Sequence, residues 1–226
     1  MSDDVQVISQ PASVGESAYQ KIRSDIIFGR LLPGRKLKLD RLKADYGASV
    51  STLRETLNRL HSERLVVAEG QKGFEVAPVS IANLREIAAL RQLLECRALE
   101  QAFRAGDMEW EGRVVAAHHR LARMEEQMAQ GERDHTEERK RYDWQFHQAL
   151  ISACGSRMLI DNHAAVFDKK LRYQMIALSF RGDIAAEEHA LLLQYALERD
   201  SMRACEVLRR HVAGGVEHAL ATGTIS

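Results

Sequence analysis

Ser49-Val50-Ser51-Thr52-Leu53-Arg54-Glu55-Thr56-Leu57-Asn58-Arg59-Leu60 decides how the first third of this chain folds. Val50, Leu53, Leu57 and Leu60 recur at helical spacing and define one apolar face. Ser51, Thr52, Arg54, Asn58 and Arg59 occupy the opposite face. Ser49 and Ser51 carry hydroxyls suited to capping the first turn. Just before this stretch, Leu39 to Tyr46 reads as a second short amphipathic helix, and Gly47 supplies the turn between them. Two short helices, a glycine turn and a polar, basic second helix define a helix-turn-helix, a unit that reads DNA.

Working outward, Ala18, Tyr19, Ile22, Ile26 and Ile27 share one face of a helix predicted over Glu16 to Phe28. Gly29 ends it, and Leu32-Pro33-Gly34 is a turn. On the other side, Leu65 to Ala68 is a short β-run. Gly70-Gln71-Lys72-Gly73 is a turn, and Phe74 to Ala77 is the return strand. A hairpin after a helix-turn-helix is a wing, with Lys72 at its tip. Pro78 and Ser80 then break the chain, and Ser80 can cap the next helix. The expected organisation is an N-terminal arm over residues 1–14, a winged helix-turn-helix over 15–78, and an all-α domain over 79–226. That last domain is predicted as six helices: Ile81–Ala105, Trp110–Gln130, His135–Ala153, Met158–Phe180, Ile184–Glu198 and Ser201–Ala221. The fold class is therefore mainly α, a winged helix-turn-helix followed by a six-helix bundle.

The formal net charge is zero, but it is unevenly placed. Residues 17–64 hold eleven Lys/Arg against five Asp/Glu, a local +6. Residues 80–226 hold twenty against twenty-two, a local −2. A basic module joined to a slightly acidic one suits a DNA reader with a separate sensing or dimerising domain. No apolar run approaches the roughly 20 residues of a membrane span, and the acidic start (Asp3, Asp4) carries no secretory h-region. Cys96, Cys154 and Cys205 are odd in number and far apart, which reads as packed thiols in a reducing, cytoplasmic setting.

A second constellation lies in Arg141-Tyr142-Asp143-Trp144-Gln145-Phe146-His147. Asp143 and His147, four apart, lie about 40° from one another around a helix and can reach one ion. The same spacing also describes an ordinary surface pair. Leu150 and Ile151 share their face, however, which turns it inward. His189 is in phase with Leu192 and Leu193, and His211 with Cys205, Leu208 and Val212. One Asp and three His converging inside a bundle suit a borderline divalent metal with open positions. The alternative is a set of separate, solvated or hydrogen-bonded histidines.

Together these residues resemble the GntR family of bacterial transcription regulators, in the branch with an FCD effector domain. The resemblance spans about residues 16–221. It rests on Pro33-Gly34, Leu53-Arg54-Glu55-x-Leu57-x-Arg59-Leu60, Leu65-Val66 and Lys72-Gly73-Phe74-x-Val76 in the first half. In the second it rests on Arg91-x-x-Leu94-Glu95, Asp143-x-x-Phe146-His147, Glu188-His189, Arg199-Asp200-x-x-x-Ala204 and His211. Six effector helices look more like the VanR-type group than the seven-helix FadR-type group. Asn58 to Val66 with Gln71 to Phe74 is similar to the carbon-starvation, glutarate-pathway regulators.

The resemblance implies a homodimer on a palindromic operator, more often a repressor, tuned by a small organic acid in the effector domain. It implies a metal held by Asp143, His147, His189 and His211, zinc foremost, with nickel or manganese also accepted by such ligands. Arg54 matches an arginine at the family's DNA interface, with Asn58 one turn on. Arg35, Lys43, Ser49, Ser51, Thr52 and Lys72 are the expected phosphate contacts. Arg91 and Arg172 are the cations expected to clamp the acid, the alternative for Arg91 being an intrahelical pair with Glu95. Arg59 is divided between DNA and pairing with Glu55 or Glu63. There are departures: Val50 stands where many members have arginine, Asp40 where a basic residue is common, and Ser156 where asparagine is common. Val50 then meets either a thymine methyl or the core.

Three other functions compete. A metal-dependent enzyme would need a general base beside the ligands, and none is evident, so no enzyme is expected. A metal sensor would take the ion itself as its signal. A structural DNA-binding protein would ignore small acids.

Overall fold

The computed structural model describes residues 13–68, 73–130, 136–177 and 181–225. The chain divides into two compact units, Met1–Pro78 and Val79–Ser226.

The first unit runs α1 (Val14–Ile27), β1 (Lys36–Leu37), α2 (Leu39–Tyr46), α3 (Val50–Ser62), β2 (Val66–Ala68) and β3 (Phe74–Val76). Helix α1 starts two residues earlier than its apolar pattern does. The reason is Ser13, whose hydroxyl accepts the Glu16 backbone N–H at 3.2 Å. Of the expected arm, Val14 is therefore helical and Ser13 is its cap, while residues 1–12 lie outside the described residues. Gly47 ends α2 at φ 65°, a left-handed conformation that costs glycine little. Strand β3 pairs antiparallel with both β1 and β2, in sheet order β1-β3-β2. Strand β1 was not expected, because two residues are too few to show a period. The wing's turn, residues 69–72 with Lys72, lies outside the described residues.

Leu53, Leu57 and Leu60 of α3 pack with Ile22, Ile26, Leu42, Val66 and Val76 in one core. Val50 does not join them: it is 38% exposed. As the first residue of the helix it stands at the rim, and the buried face starts at Leu53 and takes in Thr56 instead. The core reading of Val50 is thereby corrected.

The second unit holds α4 (Ile81–Ala105), α5 (Met108–Ala129), α6 (Thr136–Ile151), α7 (Arg157–Ile176), α8 (Asp183–Leu197) and α9 (Ser201–Ala221). No strand occurs there among the described residues. Ser80, Asp107, Ser156 and Asp200 each cap the helix that follows them by accepting a backbone N–H. So Ser156, at the asparagine position of the resemblance, still starts a helix. Helix α7 ends at Ile176, short of the expected Phe180, and residues 178–180 lie outside the described residues. The expected start of α6 at His135 also lies outside them.

Helix α4 packs between α7 and α9, α5 packs on α6 and α8, and α8 on α9. Leu99, Trp110, Leu121, Phe146, Leu150, Leu192 and Leu208 fill the interior. Each such side chain contributes roughly 1.5–3 kcal/mol on burial. Trp110 also donates its indole N–H to the Ala149 carbonyl at 3.0 Å. Cys96, Cys154 and Cys205 are buried free thiols. Among the described residues, no helix is long and apolar enough to cross a membrane.

Candidate functional site

The polar face of α3 is built from its first turn. The Thr52 backbone N–H donates to the Ser49 hydroxyl at 3.2 Å. That hydroxyl lies 2.8 Å from those of both Ser51 and Thr52. Three hydroxyls thus gather where the unpaired N–H groups and the positive helix end converge, an arrangement suited to a phosphate. Arg54 and Asn58 are exposed one turn apart on the same helix, and Lys43 is exposed on α2. Arg35 is half-buried just ahead of β1.

Arg59 has a different fate. Its Nη1 pairs with Glu16 of α1 at 2.8 Å, and its guanidinium stacks 3.5 Å from the Tyr19 ring. It forms no ion pair with Glu55 or Glu63; Glu63 instead takes Arg23 at 2.8 Å and the Tyr19 hydroxyl. Arg59 ties α3 to α1.

In the second unit, α6 supplies Asp143 and His147, α8 supplies His189 and α9 supplies His211. One ligand atom from each lies within 4.8 Å of the other three, and all four residues are buried. The three imidazole rings sit 4.8–5.7 Å apart, centre to centre.

Each histidine is held from behind by a glutamate. The Nδ1 of His147 meets Glu95 of α4, that of His189 meets Glu125 of α5 at 3.0 Å, and that of His211 meets Glu188 of α8 at 2.9 Å. A carboxylate only accepts, so each Nδ1 must carry the proton. In the neutral ring that leaves Nε2 as a bare acceptor. Arg91 Nη2, 3.1 Å from the same His147 Nδ1, therefore cannot donate to it.

The centre is left polar and unsatisfied. Asp143 Oδ1, His147 Nε2 and His189 Nε2 are buried without a hydrogen bond. Asp143 Oδ1 and His189 Nε2 are 3.2 Å apart but poorly aligned. Buried polar atoms are rarely left so, at about 1–3 kcal/mol each. A borderline divalent cation would satisfy them all: three imidazole nitrogens and one carboxylate form its ordinary donor set. Carboxylate-backed histidines are the matching outer layer. The residues present fit a metal.

Burial pushes the pKa of His147 down to about 4, so it is neutral and open to a cation near pH 7. Burial likewise pushes His211 down. His189 is raised, because contact with Asp143 and Glu125 outweighs burial. Burial alone would raise Asp143, but His189, Lys170 and His147 hold it well below the usual carboxylate range.

A partly open cleft reaches Asp143 and His211, with about 300 Å³ of empty space in and in front of it, open solvent included. Its other lining is strongly basic: Arg139 and Lys140 of α6, Lys170 of α7, and Arg181 ahead of α8. Arg181 donates to Glu188 at 2.9 Å and Lys140 to Gln174 at 3.0 Å. Burial pushes Lys140 down to about 7 and Lys170 well below its ordinary value. Burial disfavours the charged forms of both lysines, so an anion entering the cavity would draw protons back onto them.

Neither Arg91 nor Arg172 lines this cavity. Arg91 is wholly buried, pairs with Glu95 at 2.8 Å and stacks on Phe167, so its intrahelical pairing is realised. Arg172 is buried on α7, two positions and hence about 160° round the helix from Lys170. Sequence reasoning missed the four cavity cations and Glu125. The available signal was phase: Arg139 and Lys140 precede Asp143 by four and three residues on one helix face. Glu125 had no such signal, since only tertiary packing brings α5 to His189.

Known proteins agree with both units. The model for bacterial regulatory proteins of the gntR family matches residues 15–76, and the FCD domain model matches residues 86–214. The HTH-type transcriptional regulator BphR of Paraburkholderia xenovorans (strain LB400), described as uncharacterized, is 36% identical over 211 residues, covering 92% of this chain and 86% of that protein. The HTH-type transcriptional repressor GlaR of Escherichia coli (strain K12) is 33% identical over 206 residues, covering 86% and 90%. A GntR regulator from Rhodococcus sp. RHA1 superimposes with a TM-score of 0.73 at 21% identity, covering 93% of this chain and 99% of that one. E. coli McbR/YncC gives 0.71 at 20%, covering 93% and 97%. At these identities the two structures speak for the fold alone. The sequence matches carry the assignment, and the chain belongs to the GntR family of bacterial transcriptional regulators, in its FCD-domain branch.

Proposed function

We propose that this chain is a cytoplasmic, homodimeric repressor on a palindromic operator, released or retained by a small carboxylic acid at a divalent metal centre. The single observation that carries the sensor reading is the set of three histidines. Each is backed by its own glutamate and leaves a bare Nε2 toward Asp143. Asp143, His147, His189 and His211 would hold the ion, with zinc the first candidate. When bound, the ion supplies positive charge for an acid's carboxylate. Arg139, Lys140, Lys170 and Arg181 hold the remaining negative charge and orient the acid. The DNA contacts are Ser49, Ser51 and Thr52 on phosphate with Arg35, Lys43 and Lys72, and Arg54 with Asn58 on base edges. The acid controls DNA only through different affinities for two arrangements of the dimer.

The test is a thermal-shift screen of small mono- and dicarboxylic acids on metal-loaded and chelated protein side by side. An acid that raises Tm only in the loaded form supports the reading. If none shifts either form, yet DNA affinity changes with the ion alone, the ion is the signal and the acid-sensor reading falls.

Glu125→Gln is a second check. It keeps the shape of the side chain but weakens its hold on His189 Nδ1. Metal affinity should fall about 10–100-fold in a chelator-competition titration. An unchanged affinity would show that Glu125 does not orient His189 toward an ion.

A further inference from the structure

Helices α4 and α9 run antiparallel, and their contacts fix the register. Gln92 of α4 reaches the Arg209 carbonyl of α9 at 3.3 Å. Arg199, just ahead of α9, reaches the Phe103 carbonyl of α4 at 3.4 Å. Residue numbers therefore fall along α9 as they rise along α4, which sets Cys96 opposite Cys205.

The contact between these two cysteines is reciprocal. The Cys96 Sγ lies 3.9 Å from the Cys205 carbonyl oxygen, and the Cys205 Sγ lies 3.6 Å from the Cys96 carbonyl oxygen. A thiol sulfur sits one atom beyond Cβ. Two sulfurs that each reach the other residue's backbone must lie side by side. A disulfide asks for such an approach, with Cα atoms within about 7 Å.

The surroundings favour oxidation over metal binding. Among the described residues, no third histidine, cysteine or carboxylate joins the pair within reach of one ion. A structural zinc site would need four ligands. Cys96 and Cys205 keep 6% and 4% of their surface exposed, a filter that favours a small peroxide over a bulky disulfide. The two sulfurs are also unequal. A hydrogen bond from Cys205, helped by the charge of Arg209, draws the Cys96 thiol below its ordinary value. The same bond, together with burial, pushes Cys205 up. Cys96 is then the attacking sulfur and Cys205 the resolving one. Cys154 is an internal control: its Sγ lies 3.7 Å from the Ser156 carbonyl, two residues on in its own loop.

We infer that Cys96 and Cys205 form a peroxide-oxidisable pair that closes a reversible disulfide between α4 and α9. The Cys96 thiolate attacks one oxygen of hydrogen peroxide. An S–O bond forms, the O–O bond breaks, and the departing hydroxide leaves as water with the proton that Cys96 released. The Cys205 sulfur then attacks the sulfenic sulfur. The S–S bond forms, the S–O bond breaks, and the hydroxyl leaves as water with the Cys205 proton. Two thiols lose two electrons and two protons, and one peroxide becomes two waters. In a reducing compartment the pair rests as thiols, and cellular dithiols restore it.

Peroxide titration of the native full chain tests this, followed by alkylation in denaturant and mass spectrometry. Reduced protein should alkylate at all three cysteines. Oxidised protein should alkylate only at Cys154, with a Cys96–Cys205 cross-link inside one chain that dithiothreitol reverses. The same oxidation in denaturant should lose that preference and give mixed pairings. Cys205→Ser should give no cross-link, and dimedone should trap Cys96 as its sulfenic acid. Cys96→Ser should slow loss of the Cys205 thiol at least about tenfold. The wild-type peptide map decides the case even where a serine variant does not fold. Three free thiols after peroxide would overturn the inference. So would cross-links through Cys154 or between chains, or a Cys96–Cys205 link no more frequent in native than in denatured protein.

Discussion

Stripping the divalent ion from the metal-loaded protein should lower its Tm by about 8–16 °C. An ion present at about a thousandfold its Kd stabilises the folded state by roughly 4 kcal/mol. For a chain of this size each kcal/mol moves Tm by about 2–4 °C. The donor set says why losing the ion should be costly. Asp143 Oδ1, His147 Nε2 and His189 Nε2 are buried without a hydrogen bond. The glutamates behind the rings prevent them from turning away to find one. Asp143→Asn should abolish the difference between loaded and chelated protein, because it removes the anionic ligand while keeping the side chain's shape. The readout is that difference in Tm, not Tm itself, so a general loss of stability does not imitate it. A metal-loaded wild type whose melting ignores chelator would overturn the metal centre.

The two units differ in how far the sequence reveals them. Leu53, Leu57 and Leu60, capped by Ser49 and preceded by a glycine turn, carry local signals that packing then obeys, so α2 and α3 read directly. Helices α4 and α9 were equally legible, because Ser80 and Asp200 start them and their apolar periods run unbroken to the ends. Val50 was misread because spacing describes angle around a helix and not position along it. At the first residue, correct phase still leaves a side chain on the rim. Strand β1 was invisible because two residues carry no period, and it exists only because β3 is there to pair with it.

The candidate centre was half legible for the same reason. Asp143 and His147 share one helix and announce themselves by a separation of four. His189 and His211 could be joined to them only through their apolar phase and the family resemblance. Glu125 and the cations Lys170 and Arg181 come from elements whose neighbours are set by tertiary packing, and no one-dimensional pattern connects them to Asp143. Of the two readings open for Arg91, the intrahelical pair with Glu95 is the one present. A guanidinium buried beside Glu95, His147 and Phe167 orders the layer behind the ligands. The cavity cations instead come from α6, α7 and the residue ahead of α8, Arg139, Lys140, Lys170 and Arg181.

Arg54→Ala should weaken operator binding by about 1–3 kcal/mol, or roughly 5–150-fold, and relax the preference at one base pair. The argument is one of availability. Of the seven arginines in the first unit, four are engaged: Arg59 with Glu16 and Tyr19, Arg23 with Glu63, Arg30 with Asp25 and Arg41 with Asp45. Arg54 is exposed on the polar face of α3, and no ion pair or hydrogen bond engages it among the described residues. It stands one turn beyond the hydroxyl cluster of Ser49, Ser51 and Thr52, and on the proposed reading that cluster would seat the helix end against a phosphate and carry the next turn toward base edges. Arg59→Ala, by contrast, should leave base preference unchanged and lower the melting temperature of the first unit, because it breaks the tie between α3 and α1. Lys43→Ala should weaken binding evenly across sequences and reduce the salt dependence by about one phosphate contact. Fluorescence anisotropy at about 0.15 M salt, on an operator selected from random duplexes and on single-base variants of it, separates the three. If Arg54→Ala binds that operator with wild-type affinity and wild-type base preference, α3 does not read bases through this residue, and the exposed Val50 and Asn58 must carry the specificity.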